Sequence, residues 1–213
     1  MERLICLAIG YVCGLFQTGY IVGKLNHIDI RNEGSGNAGS TNAVRVMGWK
    51  AGLLTFAGDV LKCVLAIVIA RILFKDSEYL PLLAMYAGAG ATLGHNFPFY
   101  LKFKGGKGIA VLAGLVVSTS LVMVPIPLTA FLIAVIFTKY VSLGSLLASS
   151  LFFLEVVFYG QLGQFHMAAP RLYELYILVF LLMALAWYRH KDNIHRLLKG
   201  QENPFGSTKK KER

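Results

Sequence analysis

Charge is scarce in this sequence. Of its 213 residues only 15% are charged, where soluble domains average about 25%. Acidic side chains are scarcest, with 11 Asp and Glu against 21 Lys and Arg. Hydrophobic residues make up 56%, more apolar surface than a soluble core of this size absorbs, but suited to a bilayer. The alternating segments of a membrane β-barrel are missing, so every span is expected to be helical, with its backbone polar groups paired internally. Cysteine is scarce too. Cys6, Cys13 and Cys63 lie in apolar stretches without a Cys-x-x-Cys spacing, which marks buried hydrophobes rather than disulfides, ligands or nucleophiles. No cluster has convincing metal-ligand spacing, and neither metal nor cofactor is expected. In a soluble protein the net charge of +10 would point to nucleic acid. In an apolar chain it points to loops that set topology and meet anionic lipid or phosphate, so membrane lipids and no nucleic acid are expected as partners.

The first apolar stretch, Leu4 to Gly23, carries no charge for 20 residues, about the length that crosses a hydrocarbon core. It lacks an Ala-x-Ala cleavage site and exceeds a signal-peptide core, so it reads as a retained span. Further stretches run from Ala51 to Phe74, Tyr79 to Gly94, Ile109 to Thr138, Tyr140 to Gly160 and Leu172 to Tyr188. Ile109–Thr138 is long for one span and short for two, at about 45 Å as a single helix. Pro125 and Pro127 sit near its middle, where a turn would fall. Treated as a hairpin, it places Arg31, Arg45, Lys102, Lys104, Lys107, Lys139, Arg189 and the basic tail on one side, and the positive-inside rule favours that count. The expectation is an all-α polytopic integral membrane protein with seven transmembrane helices and cytoplasmic site loops. Its N-terminus would lie outside and its C-terminus in the cytoplasm. Residues 1–200 would form a single transmembrane domain, and 201–213 a basic, disordered tail.

Three basic or glycine-rich segments fall on that one face. Residues 30–42 read Ile-Arg-Asn-Glu-Gly-Ser-Gly-Asn-Ala-Gly-Ser-Thr-Asn. Glycines there let backbone N–H groups approach an anion, and a helix predicted over Asn42–Met47 would add its N-terminus. No Gly-Lys-Ser/Thr closes the loop, so it is no Walker A motif, and a merely flexible Gly/Ser/Asn loop is the plainer alternative. Residues 94–108 interleave Phe with Lys and end Lys-Gly-Gly-Lys-Gly, a second phosphate-ready feature; topology-setting charge is the alternative, and Lys102 is read that way. Residues 188–200 carry Arg189, His190, Asn193 and Arg196 on an amphipathic pattern. Arg189 could be a snorkelling anchor and His190 a helix cap. Within the second span, Asp59 and Lys62 share a helix face, and a structural ion pair near the site is the favoured reading.

The Gly-Ser-Gly-Asn-x-Gly-x-Thr-Asn loop at 34–42, the Gly-His-Asn-Phe-Pro and Lys-Phe-Lys-Gly-Gly-Lys-Gly run at 94–108, and Arg-His-x-x-Asn-Ile at 189–194 resemble the PlsY family of bacterial acyl-phosphate:glycerol-3-phosphate acyltransferases. Ala38 and Ser40 depart from the residues common there, and both are small. The resemblance implies acyl phosphate and glycerol 3-phosphate as substrates and lysophosphatidic acid as product. It also implies a multi-pass place in the bacterial inner membrane and functional coupling to the enzyme that makes acyl phosphate. On that reading Ser35, Asn37, Arg45, Lys104 and His190 carry the chemistry, while Gly34, Gly36, Gly39, Thr41, Asn42, Gly105, Lys107 and Asn193 bind substrate. Arg45, Lys104 and His190, supported by Asn193, would hold the acceptor phosphate. The Gly34–Gly39 cradle, with Ser35 and Thr41, would hold the donor phosphate, and Asn37 would face the carbonyl oxygen. No carboxylate is selected as general base, so the departing phosphate is expected to take the hydroxyl proton, without a covalent acyl-enzyme.

Two rivals fare worse. An acyl-CoA-dependent acyltransferase uses a His-x4-Asp pair, and none of the five histidines has Asp five residues on. A membrane transporter of an organic phosphate would place broken helices and its site near the midplane, often with internal repeats; no repeat is evident here, and the cationic motifs sit in loops.

Overall fold

The computed structural model describes residues 1–206. Among them all regular structure is helical: α1 (Glu2–Gly14), α2 (Thr18–Leu25), α3 (Ser40–Met47), α4 (Trp49–Leu73), α5 (Leu80–Asn96), α6 (Ile109–Thr119), α7 (Pro125–Thr138), α8 (Val141–Gln161), α9 (Ala169–Arg189) and α10 (Lys191–Leu198). Five segments are long and apolar enough to cross a membrane: Glu2–Leu25, Trp49–Leu73, Leu121–Thr138, Val141–Gln161 and Ala169–Arg189. Their outward faces carry exposed Leu61, Ile72, Phe137, Phe158 and Ile177, an apolar belt that suits lipid. The interior is packed by Leu82, Leu83, Met85, Leu115, Phe152 and Leu175, all buried.

The tightest helix pair is α1 against α5, and small residues explain it. A Cβ added at Gly10 would stand 2.0 Å from the Ala87 carbonyl oxygen, and one at Gly90 2.1 Å from that of Leu7. Bare backbones in contact gain dispersion energy that bulkier side chains would forbid. At one end of this pair Arg3 bonds Glu174, which also accepts from Tyr86 at 2.9 Å. That ties the starts of α1 and α9 together. The opposite ends of α1, α5 and α9 frame the candidate site.

Two breaks interrupt the apolar stretches. The one in Ile109–Thr138 falls at Ser120–Val124, just before Pro125, because proline suits a helix start and not its interior. Its halves then separate: α6 packs chiefly on α4, and α7 on α8. The other break, at Leu15–Gln17, splits the stretch expected as one helix over Leu4–Gly23. There the Phe16 carbonyl accepts from Lys62 Nζ at 2.8 Å, and the Gln17 amide donates to the Gly14, Gly94 and His95 carbonyls.

Residues 201–206, expected within a disordered tail, are packed against the body. Glu202 is buried between Asn193 and Arg196. Phe205 donates its N–H to the Lys139 carbonyl at 2.7 Å and meets the Trp49 ring edge-on. Those partners turn the start of the tail into a strap; the expectation for 207–213 lies outside the described residues.

Candidate functional site

The three segments singled out in the sequence converge on one open cavity of about 940 Å³. Of the thirteen residues expected to act or bind, all but Gly34 line it. Gly34 shapes the loop instead. Its φ is +59°, and a Cβ there would stand 2.3 Å from Asn42 Oδ1.

Asn42 has little left to offer a substrate. Its Oδ1 accepts from the Ser35 N–H, and its Nδ2 donates to the Ile30, Glu33 and Asn37 carbonyls. This buried amide is the hub that folds the loop. Asn37 lines the cavity and spends Oδ1 on the Gly39 N–H at 2.9 Å, which leaves its NH₂ without a partner among the described residues. The loop then enters α3 two residues earlier than expected, at Ser40. Among the described residues the backbone N–H groups of Ser40 and Thr41 meet no acceptor, as the first turn of a helix dictates. They supply an anion site beside the hydroxyls of Ser35, Ser40 and Thr41. Arg31 also lines the cavity, but Asp29 engages its guanidinium at 2.8 and 3.0 Å, and that bond holds the Asp29 carboxyl below the usual range. Arg45, half-buried on α3, forms no ion pair among the described residues, so its charge stays available.

The Lys-Gly-Gly-Lys loop is clamped from both sides. The Gly105 and Gly106 N–H groups donate to the Asn96 and His95 carbonyls at the end of α5. Arg189 donates to the Gly105 and Gly106 carbonyls at 3.1 and 2.8 Å and stacks over Phe97. Arg189 is therefore no mere snorkelling anchor: it fixes the segment that carries Lys104 and Lys107. Lys104 is exposed to the cavity, its side chain without a partner among the described residues. Lys107 bonds Asn193 Oδ1, while Asn193 Nδ2 donates to Glu202 at 2.8 Å. Asn193 is thus a bridge between Lys107 and the strap rather than a free donor. Burial, with Arg196 close by, brings the Lys107 ammonium down to about 8.

His190 is buried at the junction of α9 and α10. Its Nδ1 lies 2.7 Å from the Ala186 carbonyl; a carbonyl only accepts, so Nδ1 carries the proton. Burial and the neighbouring Lys107 push its pKa down to about 4. A neutral ring with Nδ1–H leaves Nε2 as an acceptor, where the sequence reading expected a phosphate donor.

Sequence reasoning passed over several lining residues. Ser142 and Ser145 at the start of α8 add hydroxyls, and Phe56, Ile109 and Phe131 add apolar wall. Asp59 and Lys62 do pair, at 2.7 Å and both buried. Their cluster also includes His95, which no spacing on the chain could have linked to Lys62.

Residues 4–200 match the family described as "Glycerol-3-phosphate acyltransferase". A protein of that name from Thermoanaerobacter pseudethanolicus is 39% identical over 208 residues, covering 97% of each chain. Another, from Clostridioides difficile, is 38% identical over 208 residues with the same coverage. Among solved structures, PlsY, described as an integral membrane glycerol 3-phosphate acyltransferase, superposes in its glycerol 3-phosphate form. The TM-score is 0.81 at 34% identity, covering 97% of this chain and 96% of that one. Its lysophosphatidic acid form gives 0.80 at 33% identity, with the same coverage.

Proposed function

Since this chain belongs to the PlsY family of glycerol-3-phosphate acyltransferases, we propose that its cavity transfers a fatty acyl group from acyl phosphate to the 1-hydroxyl of sn-glycerol 3-phosphate. The hydroxyl oxygen attacks the acyl carbonyl carbon. The new ester C–O bond forms as the C–O bond to phosphate breaks, giving lysophosphatidic acid and phosphate. The observation that carries this reading is the meeting, in one cavity, of two separate anion-binding features beside an apolar wall. One is the α3 N-terminus with its hydroxyls; the other is the clamped lysine loop with Lys104, joined by Arg45 from α3, both cations without a partner among the described residues. Two phosphates enter this reaction, and two such features are available.

In our assignment the donor phosphate sits on the Ser35–Thr41 cradle, and the Asn37 NH₂ meets the charge developing on the carbonyl oxygen. Arg45, Lys104 and Lys107 hold the acceptor phosphate. The acyl chain lies along Phe56, Ile109 and Phe131. His190 accepts the acceptor's hydroxyl hydrogen at Nε2 and orients the oxygen. With a pKa near 4 it is too weak a base to keep that proton at neutral pH, so the departing phosphate takes it. Catalysis is then positioning plus charge.

We further place the chain in the inner membrane of a bacterium, with the cavity on the cytoplasmic side, where the acyl-phosphate-producing enzyme would supply the donor. Helix direction supports seven crossings. The starts of α1 and α9 are joined through Arg3 and Glu174, while Gln17 and Arg189 reach the end of α5 and the loop that follows it. Parallel α5 and α9 need an odd number of spans between them, which α6, α7 and α8 provide. Purified protein given acyl phosphate and glycerol 3-phosphate, with chelator and without nucleotide or CoA, is expected to yield lysophosphatidic acid by mass spectrometry. A strict need for acyl-CoA would overturn the donor assignment.

A further inference from the structure

Beneath the clamped loop lies a buried cluster that the acyl-transfer scheme leaves unused. Lys62 Nζ, on α4, stands 2.7 Å from Asp59 Oδ1, 2.8 Å from the Phe16 carbonyl and 2.8 Å from His95 Nδ1. An ammonium has three protons and no lone pair. The Phe16 oxygen and the Asp59 carboxylate can only accept, so the third proton points at His95 Nδ1, which must accept it. Asp59 cannot take a proton from that nitrogen directly, because 3.6 Å separates them, beyond hydrogen-bonding range. Thr18 Oγ1 instead donates to Asp59 at 3.3 Å. The ring proton of His95 therefore sits on Nε2.

Nε2 faces the site. His95 is buried, yet it lines the cavity. A Cβ on Gly106 would stand 2.0 Å from His95 Nε2, so the ring edge lies directly against the lysine loop. Among the described residues no protein acceptor meets Nε2. The surroundings hold the residue still: Gln17 Nε2 and the Gly106 N–H both bond the His95 carbonyl, each at 3.1 Å. The outcome is a rigid N–H donor whose tautomer is set by Lys62 and whose other edge lies against Gly106 of the lysine loop.

We propose that His95, locked by Lys62 in its Nε2–H tautomer, donates that hydrogen bond to a phosphate oxygen of substrate that enters the cavity between His95 and the Gly105–Lys107 loop. The proposal rests on the acyltransferase reading of the cavity. It makes His95 a binding residue, and Lys62 with Asp59 the residues that position it.

Two substitutions separate the ring nitrogens. His95→Gln puts an amide NH₂ near the place of Nε2, whereas His95→Asn reaches only the place of Nδ1. His95→Gln is expected to keep kcat/KM for glycerol 3-phosphate within about tenfold of wild type, and His95→Asn to lose about ten- to a hundredfold. Equal activity of His95→Asn and wild type would overturn the proposal. The second measurement needs no variant to be active. In full-length protein labelled with 15N-histidine, His95, assigned by its absence from the Gln variant, should show an unprotonated Nδ1 and a protonated Nε2. The Nε2 signal should shift on titration with inorganic phosphate. A protonated Nδ1, or an Nε2 indifferent to saturating phosphate, would overturn it. Wild-type lysophosphatidic acid formation is measured in the same series. Its absence would remove the cavity reading, while a failed His95 test beside an active wild type removes this inference alone.

Discussion

At the residue scale the site divides into groups that hold their neighbours and groups that are free. Among the described residues Arg45 and Lys104 are cations at the cavity without a side-chain partner. Arg45→Ala and Lys104→Ala should each lower kcat/KM for glycerol 3-phosphate by about ten- to a hundredfold, the equivalent of a charge-assisted hydrogen bond of about 1.5–3 kcal/mol. A change in KM alone would mean uniform binding, and a fall in kcat would mean that the hydroxyl is positioned through the phosphate. Lys107 adds a pH dependence. With its ammonium lowered to about 8, its charge is present below that pH and lost above it. KM for glycerol 3-phosphate should rise as pH climbs through about 8, and Lys107→Arg should carry that limb to higher pH. His190 separates orientation from base catalysis. His190→Gln, which still offers an acceptor, should keep kcat within roughly tenfold of wild type. A loss of about 10²–10⁴, the usual contribution of a general base, would make His190 the base. Most of these residues were legible in the sequence because glycine, lysine and hydroxyl residues crowd together there. What the sequence concealed is how much bonding capacity the fold itself consumes. Asn42 and Asn193 look like donors on paper, yet their amides are occupied by the loop and the strap. His95 was concealed because its partner lies 33 positions away.

At the scale of elements, short rigid pieces are held by backbone contacts. Arg189 and the end of α5 grip the lysine loop by its peptide groups, so neither lysine side chain is needed to hold the loop in place. Arg189→Ala should weaken binding of both substrates while leaving the helices intact. Circular dichroism and the two KM values check this together. Gly90→Val meets a different obstacle. The Leu7 carbonyl at 2.1 Å from its Cβ position is backbone and cannot rotate aside, so α1 and α5 must separate. A lower melting temperature in detergent, before any specific loss of activity, is the expected result. The break before Pro125 was legible from proline chemistry. The break at Leu15–Gln17 was not, because the groups that bond it, Lys62 on α4 and the Gly94 and His95 carbonyls of α5, are distant in the chain.

At the scale of the molecule, the loop charges foretold that the three motifs would share one face, and the cavity brings all three together. Single cysteines placed near positions 36, 106 and 199 should react with an impermeant maleimide from one side of sealed vesicles, and those near 77 and 164 only from the other. Labelling of position 199 with the second group would rule out seven crossings.

The strap also bears on the timing of biogenesis. The cavity takes its walls from segments spread from Tyr20 to Phe205, and Glu202 and Phe205 are synthesised after every membrane helix. A nascent chain can thus insert all its helices while its reaction chamber still lacks a wall. Truncation after Lys199 should give a chain that inserts fully and transfers no acyl group. Readiness for chemistry would then await synthesis of the strap, and copies in the bilayer that lack it would leave acyl phosphate untouched.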